Sequence, residues 1–514
     1  MGLARDAYQA IEDAVGPENI SEEPGILDSY AFQWLGELLP AAKDRFAVRP
    51  ETVVLPGSAE EVQTVVRICN QYKIKFKALS TGWGVHTIPG IEATIQLDLR
   101  RMNRILEINE RNMYAVLEPY VIGAQLQAEL MKRGLNCNII AAGSNTSAFP
   151  LTSLVGDGFS SVSNSMHGRS TLGVEWVLPT GELLRLGALG SGSGWFCGDG
   201  PGPSLRGIIR GVDAIAGGLG VFTKAATKVY HWPGPPVPQG EGVSPSYTWK
   251  PLPDTHCYYI LFPSWEKLSE AGIRIGESEI AYILVAMSQS VLAANIATSN
   301  EEGAQLISEI LEFSKGRPGL LVMISAKSRK EFDYQEKVLR VIMTETEGEC
   351  LPLLEEGNIQ GSVTWRFTRV SAGVRQYFRF TGGYAYFGTM ANWNRLPGIR
   401  RENNTIREKF VRQGKILDDG NAAGLSTSIE LGHLGASGIE AFYDPTDPGA
   451  KEALTQISIE VSRLGLGKYK YTLPATNAAE HDVLGPQLNN YQLWQRKIKK
   501  AFDPNVVSDT TNYI

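Results

Sequence analysis

Hydrophobic and polar residues alternate along the first quarter of the chain in patterns that predict strands and an amphipathic helix. Residues 53–56, Val-Val-Leu-Pro, predict a short strand, and the series Ser58-Ala59-Glu60-Glu61 has the form of a helix capping box. The helix that it opens would turn an apolar stripe from Val62 to Cys69 inward. Residues 74–79 alternate apolar and charged side chains and predict a second strand, which leads into a loop of small residues at 80–90.

Similar patterns continue toward the C-terminus. Strands are predicted over residues 93–99 and 113–119, a helix over 123–133, and a hairpin over 173–183. Later strands and helices are predicted over residues 258–262, 264–276, 301–314, 320–324, 328–346 and 493–502. The order of these elements indicates an α+β protein whose second half contains an antiparallel sheet.

Composition places the chain among globular enzymes and excludes several other classes. With 514 residues the chain is long enough for two domains, and its 43% hydrophobic and 20% charged residues are ordinary for a soluble enzyme. The net charge of −6 gives no reason to expect nucleic-acid binding. Five widely spaced cysteines argue against a disulfide framework and an iron–sulfur cluster. Because no apolar run approaches the length of a membrane span, we expect no membrane span and a cytoplasmic location.

The loop at residues 80–90 is the first candidate for ligand binding. Small residues after a strand allow backbone N–H groups to approach a pyrophosphate closely. The loop has neither the GxGxxG pattern of nicotinamide-binding proteins nor a Walker A pattern. Taken alone, it is equally well explained as an ordinary tight turn.

The order of the segments strengthens the ligand-binding interpretation. The loop is followed by the strand end at 97–103, a glycine loop around Gly156, the hairpin and the segment 217–224. This series resembles the FAD domain of the vanillyl-alcohol oxidase/p-cresol methylhydroxylase superfamily over about residues 45–235, and again in the C-terminal helix with Asp503-Pro504. The resemblance implies an FAD-binding domain over residues 1–234, to which 475–514 return, and a cap domain over 235–474, with the boundary in the proline-rich stretch 232–238.

The same resemblance implies a set of FAD contacts. The residues carried over are Ser80, Thr81, Gly82, Trp83, Gly84, Val85, His86, Gly156, Gly158 and Val221. His86 lies where some members of the family attach the flavin covalently. The other interpretation is a loop histidine that hydrogen-bonds to backbone or phosphate.

Two segments near the C-terminus combine histidines with carboxylates. They are Gly432-His433 through Glu440 and the pair Glu480-His481, and imidazole with carboxylate suits Zn, Mn or Fe. They resemble the D-lactate and D-2-hydroxyacid dehydrogenases, which implies His433, Glu440 and Glu480 as metal ligands and His481 as the general base. Glu440 stands where that branch has a second histidine, so the alternative is a site without metal in which Glu440 is a solvated surface residue.

Four arginines of the predicted cap lie close together with three tyrosines. They are Arg366, Arg369, Arg375 and Arg379, with Tyr377, Tyr384 and Tyr386. One of these arginines could clamp a substrate carboxylate, and Arg375 is the candidate. The alternative is that they are solvated or held in ion pairs.

The predicted function is that of an FAD-dependent dehydrogenase or oxidase acting on a small molecule. A hydroxylated substrate would pass a hydride to flavin N5, and a 2-hydroxy acid is favoured because it could chelate the metal. The alternatives are a phenolic or benzylic alcohol as substrate, and a catalytically idle flavoprotein subunit in electron transfer. Electrons would leave to oxygen or to an electron-accepting protein, and a homo-oligomer is expected.

Overall fold

The structure is a computed structural model that describes most of the chain. The described residues are 2–32, 47–82, 88–137, 144–149, 170–192, 194–195, 204–209, 218–243, 245–369, 382–418, 425–428, 430–469 and 478–508. The predicted FAD contacts Trp83, Gly84, Val85, His86, Gly156 and Gly158, and the predicted clamp Arg375, lie outside these residues.

The described strands belong to three main sheets and two short pairs. In the first half they are β1 (Ile20–Ser21), β2 (Val53–Val54), β3 (Lys75–Leu79), β4 (Thr94–Asp98), β5 (Ile105–Asn109), β6 (Tyr114–Leu117), β7 (Leu135–Asn136), β8 (Thr171–Val177), β9 (Leu183–Arg185), β10 (Val221–Lys228) and β11 (Tyr230–His231). In the second half they are β12 (Gly240–Glu241), β13 (Thr248–Trp249), β14 (Thr255–Leu261), β15 (Ile283–Met287), β16 (Gly319–Ser325), β17 (Glu349–Cys350), β18 (Gly383–Asn392), β19 (Leu425–Thr427) and β20 (Leu434–Tyr443).

The described α-helices are distributed over both halves. They are α1 (Arg5–Val15), α2 (Pro24–Ala31), α3 (Ala59–Tyr72), α4 (Gly123–Met131), α5 (Trp265–Glu277), α6 (Gln289–Ile296), α7 (Asn300–Ser314), α8 (Arg329–Glu345), α9 (Gly357–Arg369), α10 (Leu396–Arg412), α11 (Pro448–Leu464), α12 (Ala478–Leu484) and α13 (Tyr491–Phe502). A π-helical turn, Gly465–Tyr469, follows α11.

The first sheet has the order β1-β2-β4-β3, and its last three strands are parallel. Helix α3 connects β2 to β3, and the predicted cap is confirmed because the Ser58 hydroxyl accepts a hydrogen bond from the Glu61 N–H. Leu79 at the end of β3 pairs with Asp98 at the end of β4. The carboxyl ends of two parallel strands therefore meet at one edge, where ligands bind in open α/β sheets.

The second sheet has the order β5-β6-β10-β8-β9 and contains the predicted hairpin. Gly220, just before β10, has φ +85°, and a Cβ placed there would meet the Val177 carbonyl oxygen at 2.2 Å. Only glycine fits this approach, because it has the required backbone freedom and no side chain. Sheet packing alone therefore explains the glycine at position 220.

The third sheet has seven antiparallel strands in the order β17-β14-β16-β15-β19-β20-β18. Alternate residues of its strands point to opposite faces. One set, including Tyr259, Val285 and Phe442, packs in the largest hydrophobic core together with first-half residues such as Trp176. We call the side of the sheet that carries this set of residues the front face. The other set packs on helices α5, α8, α10 and α11.

The largest core therefore joins the two halves instead of belonging to one of them. Buried polar side chains cross the same contact: the Gln127 amide donates to the carbonyl of Thr368 at 2.9 Å, and the Asn136 amide donates to the Tyr282 hydroxyl at 2.7 Å. Because these hydrogen bonds are enclosed, they fix the register of the two halves against each other.

The C-terminal helix packs on the first half. The Lys499 ammonium group is buried, and it donates to the carbonyls of Gly218 at 2.8 Å and Ser508 at 2.9 Å and to the Asp503 carboxylate. Asp503 also accepts hydrogen bonds from the backbone N–H groups of Val507 and Ser508. Phe502 stacks on Trp176 with ring centroids 5.5 Å apart. The domain limits themselves stay a prediction.

The predicted α+β architecture is confirmed, and the predicted elements of both halves lie within a few residues of the observed bounds. Helices α9, α10 and α11 and the long strands β18 and β20 were not predicted. Among the described helices, none is both long and apolar enough to cross a membrane.

Removing the Lys499 side chain should destabilise the protein. Lys499→Ala would leave the Asp503 carboxylate buried without its cation, so we expect the free energy of unfolding to fall by about 3–5 kcal/mol. The matched control is Lys500→Ala, whose exposed side chain should change it by under about 0.5 kcal/mol. Urea unfolding followed by circular dichroism measures both, and equal small effects would show that this cluster contributes nothing.

Candidate functional site

Residues 80–82 of the predicted cofactor loop lie at the carboxyl end of β3, and all three are partly exposed. Gly82 has φ +70°, and the nearest atom to a Cβ placed there would be Leu79 Cδ1 at 3.5 Å. The position therefore has room for a small side chain, but its left-handed backbone favours glycine. This conformation explains why glycine occupies the position.

The segment 144–149 lies beside this loop. The N–H of Ser147 donates to the Thr81 hydroxyl at 3.0 Å, and the Ser147 hydroxyl donates to the Pro119 carbonyl at 2.6 Å. The neighbouring Thr146 hydroxyl is buried and has no hydrogen-bond partner among the described residues. A buried hydroxyl without a partner costs free energy. The loop and this hydroxyl together suit a bound polar group, which fits the predicted FAD.

A network of polar side chains occupies the end of β4. The buried Asp98 carboxylate accepts hydrogen bonds from the Tyr30 hydroxyl at 2.6 Å and from Arg100 Nε at 2.8 Å. Burial and the hydrogen bond to Asp98 raise the pKa of Tyr30, so its hydroxyl stays protonated at neutral pH. The network ties α2 to the sheet edge next to the loop of Ser80, Thr81 and Gly82.

Val221, another predicted FAD contact, begins β10 opposite Val177. Its side chain is buried in the core cluster of the first sheet together with Val66 and Leu97. The side chain thus contributes to packing, and the role of Val221 as an FAD contact stays a prediction.

The front face of the third sheet carries a buried carboxylate. Glu440 on β20 is fully buried, and the hydroxyl of Tyr384 on β18 donates to its Oε1 at 2.8 Å. Tyr384 is in the largest core, as is Phe442, two residues beyond Glu440 on the same face. The alternative of a solvated Glu440 is therefore wrong: this carboxylate faces the first half.

His433 and Glu440 are not brought together. Strands β18 and β20 pair without interruption from Gly383–Tyr443 to Asn392–Leu434. At about 3.3 Å per residue, Leu434 and Glu440 are roughly 20 Å apart, and His433 precedes Leu434. Two ligands of one ion lie within about 4 Å of each other. His433 is also exposed, whereas Glu440 is buried.

The predicted metal site is accordingly not supported. Among the described residues, no group of three or more histidine, cysteine, aspartate and glutamate side chains is placed to hold an ion. Glu480 lies in helix α12. The spacing that suggested a shared ion is that of a strand, in which six residues carry the chain far beyond one coordination sphere.

His481 is buried on α12, and its Nδ1 lies 2.5 Å from the Tyr491 hydroxyl. Burial raises the pKa of Tyr491, so the hydroxyl remains protonated at neutral pH. This contact fixes the ring orientation of the histidine, as expected of a positioned acid–base group.

Two of the four cap arginines fall within the described residues. Arg366 is buried, with Nη2 donating to the Pro245 carbonyl at 2.8 Å and Nε to the Ser362 hydroxyl at 3.1 Å. Arg369, one turn later, is partly exposed, and burial lowers its pKa. The sequence could not separate these two roles, because both arginines lie on one helix only three residues apart.

The sequence did not reveal the roles of Tyr384, Thr146 and Ser147 in the candidate site. The alternation Tyr384-Ala385-Tyr386-Phe387 could have shown that β18 is a strand with Tyr384 on one face. Nothing in the sequence paired it with Glu440, because strand register depends on the whole ladder. Thr146 and Ser147 carry no recognisable motif.

Comparisons with known proteins agree with this architecture. Residues 50–187 match the family described as FAD binding domain. The chain is 27% identical over 248 residues to the flavoprotein subunit of 4-cresol dehydrogenase [hydroxylating] from Pseudomonas putida, covering 46% of this chain and 44% of that one. It is 25% identical over 185 residues to a probable mitochondrial D-lactate dehydrogenase from Danio rerio, covering 36% of each. A crystal structure of p-cresol methylhydroxylase with substrate bound matches with a TM-score of 0.79 at 18% identity, covering 99% of this chain and 97% of that chain.

These matches confirm the fold of the vanillyl-alcohol oxidase/p-cresol methylhydroxylase type and the FAD-binding domain. The chain spans only 26% to 44% of the length of the first curated relatives that it matches in sequence. At 18% identity the structural match shows the fold alone.

Gly82 provides a direct test of the cofactor loop. Gly82→Ala should lower the FAD content of the purified protein severalfold, because L-residues resist the left-handed conformation by about 1–2 kcal/mol and the loop would shift. Gly414→Ala is the matched control, since Gly414 has φ +68° and no atom within 4 Å of an added Cβ. The ratio of flavin to protein absorbance measures the outcome, and equal FAD content in both variants would remove Gly82 from the site.

Proposed function

We propose that this chain, whose residues 50–187 match the FAD binding domain family and whose fold is that of p-cresol methylhydroxylase, is an FAD-dependent oxidoreductase of small phenolic or benzylic alcohols. The observation that carries the choice of substrate is the buried pair of Glu440 and Tyr384 on the front face. A 2-hydroxy acid was favoured because it could chelate an ion. The extended strand β20 removes that reason.

The proposed cofactor is FAD, held by the loop of Ser80, Thr81 and Gly82 with the polar segment 144–149. When bound, FAD would accept two electrons with a hydrogen from the substrate carbon. The carbon and oxygen of the substrate together lose two hydrogens, so a proton must also leave the substrate hydroxyl. The side chains of this chain supply that proton acceptor.

We assign proton acceptance to His481, with Tyr491 as its positioning residue. An imidazole held through Nδ1 presents its other nitrogen in a fixed direction, which is how histidine bases are oriented in many sites. Glu440 and Tyr384 would line the substrate side of the cap, where a hydrogen-bonded carboxylate attracts a substrate hydroxyl.

The electron acceptor is proposed to be a second protein or oxygen. The relative from Pseudomonas putida is named as a flavoprotein subunit, which supports a protein acceptor. The described cysteines, Cys69, Cys137, Cys257 and Cys350, are buried or partly buried, and burial raises the pKa of each thiol. They are therefore poor thiolate relays between the flavin and an acceptor.

An anaerobic substrate screen tests the proposed substrate class. We expect 4-cresol or 4-hydroxybenzyl alcohol to bleach the flavin absorbance of the FAD-loaded protein, and D-lactate to leave it unchanged. Bleaching by D-lactate with no response to either phenol would contradict the proposal and restore the 2-hydroxy-acid alternative. If none of the three compounds bleaches the flavin while the chemical reductant dithionite does, the chain does not catalyse oxidation of these substrates.

The role of His481 is tested against a second histidine of the same region. His481→Ala should retain FAD but slow flavin reduction by about 10² to 10⁴, the usual contribution of a positioned general base. His433→Ala is the control, because His433 is exposed and should leave the rate unchanged. Stopped-flow absorbance measures both variants with the substrate found above. Equal rates in the two variants would exclude His481 as the base.

A further inference from the structure

The last turn of α9 carries donors without acceptors. The indole nitrogen of Trp365 and Nε of Arg369 are buried and have no hydrogen-bond partner in the part of the chain that the structure describes. The two residues are four apart on the helix and therefore lie on one face. The ring of Tyr247 closes this face, with its centroid 4.9 Å from that of Trp365 and the planes at 62°. Such an arrangement lacks a group that accepts hydrogen bonds and compensates positive charge.

Arg369 differs from the other arginines whose pKa is shifted. Arg100 is paired with Asp98 and Arg340 with Glu336. Among the described residues no carboxylate contacts Arg369, and the phenol of Tyr247 is the one group that acts on its charge. An arginine keeps its charge even when burial lowers its pKa, so an uncompensated cation remains. Its Nε is buried without a hydrogen-bond partner among the described residues, while the side chain as a whole is partly exposed.

The position of Arg369 in the fold connects it to the proposed substrate site. The preceding residue, Thr368, accepts the hydrogen bond from Gln127 of the first half, and its hydroxyl lies 3.8 Å from Met323 Sδ on the front face. The end of α9 thus lies at the contact between the two halves. Phe367 belongs to the same core as Tyr384. The indole ring of Trp365 has the Arg366 guanidinium 5.4 Å from its centroid, and the ring of Tyr247 packs against it.

We propose that Arg369, with Trp365 and Tyr247, forms an anion subsite that takes the carboxylate of an aromatic substrate. An arginine side chain can bind a carboxylate through two of its nitrogens, and the neighbouring indole N–H is a further hydrogen-bond donor. The inference rests on the proposed function and narrows its substrate class to a hydroxyaryl carboxylate: a phenol that carries an acid group at its other end. Arg366 is held in place by its hydrogen bonds to Pro245 and Ser362.

Binding of two matched probes tests the subsite without relying on turnover. The probes are 4-hydroxyphenylacetate and 4-cresol, which share the phenol and differ in the carboxylate. Their dissociation constants are measured on the FAD-loaded protein from changes in flavin absorbance and in tryptophan fluorescence, without oxygen. We expect the wild type to bind 4-hydroxyphenylacetate at least about tenfold more tightly than 4-cresol, the usual value of one charge-assisted hydrogen bond.

The variants assign that preference to one side chain. Arg369→Gln should reduce the preference to about one while leaving 4-cresol binding unchanged, and Arg369→Lys should keep part of it. Arg463→Gln, which removes an exposed arginine from the last turn of α11, should keep the full preference. An equal preference in Arg369→Gln and wild type would overturn the subsite, and so would a wild type that binds the two probes equally or binds neither. Flavin reduction by neutral phenols would still support the proposed function in those cases.

Discussion

The uninterrupted antiparallel ladder between β18 and β20 is the constraint on which the site depends. Each residue pair fixes the next one, and side chains alternate between the two faces with a period of two. Glu440 and Tyr384 are consequently on the front face, while Ala385, Ile439 and Ala441 pack against α10 and α11. The same ladder keeps His433 and Glu440 at opposite ends of one strand. One backbone arrangement thus creates a buried pair of a carboxylate and a tyrosine hydroxyl, and it keeps His433 and Glu440 too far apart to share an ion.

The contact between the two halves of the chain encloses the pair of Glu440 and Tyr384. A continuous hydrophobic core and the hydrogen bonds of Gln127 and Asn136 hold the front face against the first half. Within the first half, Lys499 and Asp503 hold the C-terminal helix α13 on the segment before β10. His481 and Tyr491 are carried by that last part of the chain. Residues from three distant parts of the sequence are therefore positioned by one set of buried interactions.

Local sequence patterns were sufficient for elements whose causes are local. The Ser58–Glu61 cap, the buried stripe of α3 and the hairpin turn at Gly181 depend on neighbouring residues, and each was predicted. Strands β18 and β20 were missed because glycine and polar residues interrupt their apolar pattern, so that only pairing defines them. The metal triad was carried over from a family motif, and in this chain the extended strand β20 keeps His433 and Glu440 apart. Arg369 and Arg366 could not be distinguished, because their difference lies in partners remote in sequence.

The central claim is that Glu440 acts within a buried hydrogen-bonded pair and not as a metal ligand. The most direct test is elemental analysis of the FAD-loaded protein, with the rate of flavin reduction measured before and after dialysis against a chelator. The account predicts far less than one equivalent of Zn, Mn or Fe per flavin and an unchanged rate. A stoichiometric ion that is lost in Glu440→Gln, together with loss of activity on chelation, would contradict it.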